Sequence, residues 1–188
     1  MWVLSCKRKG TPTFSGGSND KSIIDLIPEA KEHGLVPVCG MPRSSTGIEI
    51  LTNDKEWVHK LCHPSYGHHS TYLLFVEGKL SASAVDTLQA IKQPYFVNNE
   101  NGKRGPMFEL HAVEYIKRLH RTLIELTVQE LSHRSIENTL NEMNYTITSI
   151  RRTAFGSVTL RETKSGQWRV LTSSDISGLK RMSAKLPM

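Results

Sequence analysis

Four histidines that lie close together in the sequence are the first residues to test for chemistry. They are His59, His63, His68 and His69. Imidazole nitrogens are frequent zinc ligands, but zinc sites repeat a small set of spacings and commonly include cysteines. The spacing here matches no such pattern, and no cysteine pair accompanies it. The sequence therefore predicts no metal site, and nothing in it indicates a cofactor.

Two other segments contain residue types that serve catalysis or phosphate binding. Residues 44–47, Ser-Ser-Thr-Gly, offer hydroxyl groups, but no strand-turn-helix elbow surrounds them to activate a serine nucleophile. Gly16 and Gly17 form a lone pair without the other features of a phosphate-binding loop. Neither segment predicts a site.

The composition is that of an ordinary globular protein. The chain has 188 residues, of which 38% are hydrophobic and 22% charged, and no apolar run is long enough to span a membrane. Cys6, Cys39 and Cys62 are an odd number without CxxC spacing, which favours a reducing compartment over a disulfide framework. We expect an intracellular protein with no membrane partner. A mitochondrial or other organellar location stays open because a presequence could have been removed.

The positive charge is concentrated at one end of the chain. The net charge is +6, and residues 151–188 carry all of it, since the acidic and basic residues before them balance. Cationic side chains displace counterions from nucleic acid, so this end favours a surface that faces phosphates. A solvated basic tail is the alternative.

The hydrophobic pattern predicts alternating strands and helices. Strands are expected at residues 2–6, 35–38, 48–51, 71–76, 107–115, 121–130, 145–152, 155–160 and 168–171, the last two as a pair. Helices are expected at residues 23–27, 56–62, 83–92 and 136–143, and after a cap at 172–175. Residues 98–106 read as a polar loop. This succession predicts an α+β fold with mostly antiparallel strands.

Four motifs stand in a specific order along the chain, at residues 3–10, 51–54, 63–72 and 152–172, and together they resemble those of pseudouridine synthases that act on ribosomal RNA. Residues 3–10 resemble the family's V-L-x-x-K-P-x-G start, and residues 51–54 its L-T-N-D motif. Residues 63–64 with 71–72 resemble H-P…K-T-Y, and residues 152–172 resemble the closing R-x-x-x-G…G-x-W-R-x-L-T. The chain thus resembles the family over nearly its whole length.

The resemblance implies a bifurcated, mixed but mainly antiparallel sheet with flanking helices and a substrate cleft across the sheet centre. It also implies RNA as the ligand, from which family enzymes flip a uridine into the cleft. There an aspartate attacks, an arginine pairs with the aspartate, and a tyrosine stacks on the base. We expect a single pseudouridine synthase-like domain over residues 1–188, without the S4-type RNA-binding domain usual in the family.

The two charged residues of that chemistry are replaced. A gapless overlay of residues 37–54 on the family motif puts Pro42 where the nucleophilic aspartate stands, and no carboxylate lies between Glu32 and Glu49. Glu137 stands at the position of the partner arginine. Covalent catalysis needs an activated nucleophile, so no catalytic residue is predicted. Glu49 falls at a leucine position and is interpreted, like Glu137, as facing a protein partner.

Five residues are candidates for RNA contact: Tyr72, Arg43, Arg151, Arg152 and Arg169. Tyr72 matches the family tyrosine and can stack on a base without a neighbouring acid, although a core tyrosine is equally consistent. Arg43 can bind a phosphate or face solvent. The other three belong to the basic end.

These observations favour a catalytically inactive, RNA-binding member of the fold. Its expected role is that of an rRNA-binding ribosome-assembly factor or ribonucleoprotein component, with ribosomal or assembly-factor proteins as further partners. Two alternatives remain. One is an active rRNA pseudouridine synthase with a repositioned acid. The other is a protein-interaction module that does not contact RNA.

Overall fold

A computed structural model describes residues 1–14, 20–63, 66–91, 108–128 and 133–183. The chain divides into two compact units, one of residues 1–68 with 151–188 and the other of residues 69–150. The single domain over residues 1–188 stays a prediction. The polar loop predicted at residues 98–106 lies outside the described residues.

Strands and helices alternate along the described residues. In chain order they are β1 Trp2–Lys7, α1 Ile23–Leu26, α2 Pro28–Glu32, β2 Val36–Val38, β3 Thr46–Thr52, α3 Lys55–Cys62, β4 Ser70–Glu77, α4 Ala82–Ala90, β5 Phe108–Ile116, β6 Arg121–Val128, α5 His133–Glu142, β7 Ile147–Phe155, β8 Val158–Thr159, β9 Trp168–Val170 and α6 Ser173–Ser183. The predicted α+β class with mainly antiparallel strands is confirmed.

The first unit is built around β3 and β1. Strand β1 pairs antiparallel with β3 on one side and with β9 on the other, and β2 adds to β3. The end of β7 pairs with the start of β3 in parallel, with Thr46 opposite Arg151 and Gly47 opposite Arg152. Every residue of β1 is buried, which explains why its sequence lacks the polar alternation of a half-exposed strand.

In the second unit the strand order is β5, β6, β4 and the start of β7. Residues 70–77 pair antiparallel with residues 121–128 without a break, and β5 pairs with β6 across one bulge between Leu110 and Ala112. Helices α4 and α5 contribute apolar residues to the core that these strands form, among them Leu88 and Leu140. Burying these side chains is the main stabilising contribution in this unit.

One predicted strand pairing is wrong. Residues 155–160 and 168–171 do not pair with each other, because β8 turns back at Gly156 onto β7 whereas β9 pairs with β1. The first helix ends at Leu26, before Pro28, and Pro28 then opens a second helix, α2, that the sequence pattern does not predict. Proline fits that position because its fixed φ is helical and its missing N–H would have had no intrahelical acceptor.

The helix ends follow the capping residues that the sequence shows. Ser22 and Asp25 bond reciprocally at the start of α1, and Asp54 accepts from the Trp57 amide at the start of α3. Among the described residues, no helix has the length and apolar character needed to cross a bilayer.

Candidate functional site

The loop that carries Pro42 connects β2 to β3, and a buried lysine holds it through hydrogen bonds to its backbone. Lys7, at the end of β1, is almost fully buried, and its Nζ donates to the carbonyl oxygens of Pro42 at 2.9 Å and Ser45 at 2.7 Å. The Gly10 amide donates to the Arg43 carbonyl at 2.8 Å. The loop is thus fixed through its backbone, and Pro42 itself brings no ionisable group to it.

Glu49 is connected to the same loop through Thr13, which contacts both Glu49 and Met41. Its side chain has 0% exposure, so the prediction that it faces a protein partner is wrong. Strand β3 lies between β1 and β7, and both of its faces are covered. Burial raises the pKa of the Glu49 carboxyl, although Arg152, Thr13 and Lys7 act in the opposite direction.

Thr13 connects Glu49 to the Pro42 loop. Its hydroxyl lies 2.7 Å from Glu49 Oε1 and 2.9 Å from the Met41 carbonyl oxygen. A hydroxyl has only one proton to donate, so these two acceptors share it.

Arg152 holds the other end of the loop. Its Nη1 donates to the Cys39 carbonyl at 3.1 Å and its Nε to the Ile48 carbonyl at 2.8 Å. It is 1% exposed, which leaves no surface for a phosphate, so we assign it to support of the loop in place of the RNA contact predicted for it. Lys7, Glu49 and Arg152 are called the buried ionic cluster below.

The burial of Lys7 predicts how stability changes with pH. Burial lowers the pKa of its ammonium group from 10.5 to about 8, with Glu49 opposing the shift and Arg152 and Arg43 adding to it. Between these values the unfolded chain binds more protons than the folded one, so the free energy of unfolding should rise with pH, by about 3 kcal/mol in all. Urea unfolding from pH 7.5 to 10 should show this rise. Lys7→Met should abolish it, and an equal rise in that variant would contradict the assignment.

Arg43 and Asp20 form an exposed ion pair beside Pro42. Arg43 Nη2 lies 2.8 Å from Asp20 Oδ2, both side chains are about half exposed, and Arg43 Nε donates to the Gly10 carbonyl at 3.1 Å. Asp20 is a carboxylate next to the loop that sequence reasoning missed, because the overlay examined only the residues close to Pro42 in the chain. It precedes that loop by two helices and a strand.

The other predicted RNA-binding residues differ in their exposure. Arg151 is exposed on β7. Arg169, on β9, is a quarter exposed and donates from Nη1 to Asp175 at 2.8 Å. Tyr72 is 2% exposed within the core of the second unit, which favours the core interpretation over base stacking. Glu137 is half-buried on α5 of that unit, and its predicted role in contacting a protein stays a prediction.

The cysteines and histidines form no metal centre in the part of the chain that is described, where no three His, Cys, Asp or Glu side chains come together. All three cysteines are free. The Cys39 amide donates to Cys62 Sγ at 3.1 Å, which ties the start of the Pro42 loop to the end of α3. His59 and His63 stack on each other at the same end of α3.

The fold and the motif-bearing loop identify a class of protein. A family model described as RNA pseudouridylate synthase matches residues 1–142, so the chain belongs to that family. An uncharacterised RNA pseudouridine synthase of Aquifex aeolicus is 30% identical over 159 residues, which are 85% of this chain and 60% of that protein. The chain thus spans about 60% of the length of this relative.

Two further likenesses support the same class. The ribosomal large subunit pseudouridine synthase B of Bacillus subtilis is 24% identical over 97% of this chain and 72% of its own length. A crystal structure of a pseudouridylate synthase superposes with a TM-score of 0.77 at 16% identity, over 95% of this chain and 73% of that one. This likeness confirms the fold that the sequence motifs predicted.

Proposed function

We propose that this chain binds RNA without isomerising uridine. Pro42 carries the proposal, because it occupies the loop position at which the family motif has its nucleophilic aspartate. A proline side chain cannot attack a sugar or base and cannot be activated by a neighbouring group. Glu137 at the position of the partner arginine supports the same conclusion, since both members of one ion pair are then lost together.

The carboxylates near the loop offer poor replacements. Glu49 is enclosed, and its Oε2 has no hydrogen-bond partner within the described part of the chain, so it has no surface to present to a flipped base. Asp20 is exposed and pairs with Arg43 at 2.8 Å, but it precedes α1 and does not stand at the motif position. Meanwhile the buried ionic cluster keeps the loop in place, so the protein retains the shape of the region without its nucleophile.

The proposed RNA is ribosomal. The motifs match the branch of the family that acts on rRNA, and the Bacillus relative is named for the large ribosomal subunit. A ribosome-assembly factor or a ribonucleoprotein component fits an RNA-binding protein without catalysis, and such a role requires ribosomal or assembly-factor proteins as neighbours. A mitochondrial or other organellar particle is one location consistent with this role.

The alternative is an active rRNA pseudouridine synthase with a repositioned acid. The observation in its favour is Asp20, whose carboxylate pairs with Arg43, the residue that follows Pro42. A carboxylate paired with an arginine has the residue types that the family's chemistry uses. Its relatives are named as synthases, so the two possibilities need a direct test.

Crosslinking of the protein to RNA in its own cells provides that test. The bound RNA is sequenced, and pseudouridine is mapped at the bound sites in cells with and without the protein. We expect crosslinks to rRNA and an unchanged pseudouridine map. A pseudouridine that disappears on depletion, and returns with the wild type but not with Asp20→Asn, would establish the alternative. Absence of any RNA crosslink would favour a protein-interaction module.

A further inference from the structure

An open groove lies beside β9. It has a volume of about 860 Å³, and its lining includes Arg161, Trp168, Arg169 and Val170. Strand β9 is an edge strand in the described part of the first unit, where it pairs with β1 alone. The groove therefore runs along a free strand edge, and all its lining residues belong to the basic end of the chain.

A buried carboxylate fixes two arginines at the wall of this groove. Asp175 is 3% exposed and lies 2.8 Å from Arg169 Nη1 and 3.2 Å from Arg161 Nη2. It is itself anchored at the start of α6, where it accepts from the Thr172 amide while its own amide donates to the Thr172 hydroxyl, both at 3.1 Å. One carboxylate cannot neutralise two guanidinium groups, so the wall keeps a positive charge.

The two arginines differ in how far they can reach a ligand. Arg161 is 58% exposed, whereas Arg169 Nε and Nη2 are buried and have no hydrogen-bond partner among the described residues. Asp175 therefore positions both guanidinium groups, and Arg161 is the one that offers its donors to solvent. Fixed, incompletely paired arginines are well suited to phosphate, because their planar donors match its oxygens and little side-chain entropy is lost on binding.

Further cations lie at the rim. The Arg8 side chain packs over Gly166, so closely that a Cβ at this glycine would lie 2.0 Å from Arg8 Nε. Gly166 is itself part of the groove lining, and the neighbouring Lys164 is exposed. Of the acidic residues, Glu162 also lines the groove, so cations outnumber anions around it.

Trp168 gives the groove an aromatic surface. It is half-exposed on β9, pairs with Ser5 on β1, and packs with part of its ring against the core of Val3, Ile27 and Leu51. A ring anchored on one side and open on the other is a platform for a base, because every base has a face that can stack. Proteins that bind single-stranded nucleic acid typically have cations along the path of the phosphate backbone and an aromatic side chain on which a base stacks.

We propose that this groove binds single-stranded RNA, with phosphates on Arg161 and Arg8 and a base stacked on Trp168. The inference rests on the proposed RNA-binding function and names a surface for it along β9. Arg169, a predicted RNA contact, lies in the wall of this groove, where it and Arg161 pair with the same carboxylate, Asp175.

Binding of a short fluorescein-labelled oligouridylate, followed by anisotropy over a range of salt concentrations, tests the groove. Arg161→Ser with Arg8→Ser should weaken binding about tenfold or more and reduce the salt slope by about 1 to 1.5, since two phosphate contacts are lost. Both side chains are exposed, so the fold should be unaffected. The matched control is Lys117→Ser with Arg118→Ser, two exposed cations of the second unit, which should change affinity less than about twofold.

Two substitutions of Trp168 test whether a base stacks on its ring. Trp168→Ala should weaken binding about tenfold, whereas Trp168→Phe should retain most of it, because phenylalanine also presents a stacking face. Thermal unfolding of both variants shows whether the lost packing of Trp168 lowers the stability of the protein. If the alanine variant is unstable, the phenylalanine variant still tests the stacking.

The outcomes separate this inference from the function on which it rests. A wild-type protein that binds neither the oligouridylate nor rRNA would overturn both. If the wild type binds but the groove variants match the Lys117 and Arg118 control, the groove is not the RNA site, while the proposed function stands. Loss of affinity in the groove variants alone, with ultraviolet crosslinks on residues 161–170, is the result expected.

Discussion

Gly47→Ala should cost about 3 kcal/mol or more of unfolding free energy. Gly47 has a φ of +108°, a conformation that L residues rarely adopt, and a Cβ there would lie 2.1 Å from the Arg152 carbonyl oxygen. The contact is backbone on backbone, because Gly47 pairs with Arg152 where β3 meets β7. Neither strand can move away without breaking that pairing.

Gly78→Ala is the matched control for this effect. Gly78 also has a positive φ, of +74°, but a Cβ there would meet nothing within 4 Å. It should therefore cost only the backbone strain, about 1 kcal/mol. Chemical denaturation of both variants measures the difference. Equal costs would mean that the approach of β3 to β7 at Gly47 is looser than described.

Arg152→Met should destabilise the first unit by about 3–5 kcal/mol. The substitution removes the donors to the Cys39 and Ile48 carbonyls and leaves Lys7 and Glu49 without the third member of the buried ionic cluster. Removal of one partner from a buried charged group is costly because the remaining polar groups stay dehydrated and unpaired. Urea denaturation is the measurement.

The neighbouring residue on β7 provides the control. Arg151 is exposed where Arg152 is buried, so Arg151→Met should change stability by no more than about 0.5 kcal/mol. The effects on RNA affinity should be reversed. Arg151→Met should bind RNA more weakly than any Arg152 variant that still folds. A stability loss at Arg151 as large as that at Arg152 would contradict the assignment of Arg152 to the loop.

The elements that depend on local pattern could be predicted from the sequence. The apolar spacing of its residues predicts helix α3, with Asn53 or Asp54 as the cap, and the structure has Asp54 there. A continuous apolar run between polar residues predicts β4. The family motifs added the fold, because their order along the chain is specific. Boundaries shifted by only a few residues at these elements.

Pairings between distant segments could not be predicted from local pattern. The partner of β9 is β1, at the opposite end of the chain, and no feature of residues 168–171 indicates it. The burial of Glu49 also depends on distant segments, since the charges that act on it, those of Arg152 and Lys7, come from other strands. A signal did exist for Lys7, a lysine that ends an otherwise apolar strand, whereas nothing pointed to Thr13 or Asp20.

The central claim is that the protein binds rRNA and leaves its uridines unchanged. Isomerisation moves the glycosidic bond to C5 of uracil and displaces the hydrogen there, so tritium at C5 is released into water for each pseudouridine formed. Purified protein, at a concentration that saturates binding to C5-tritiated rRNA, should release no more tritium than the RNA alone, while an active family enzyme releases it readily. Release by the wild type that Asp20→Asn abolishes would contradict the account and identify the repositioned acid.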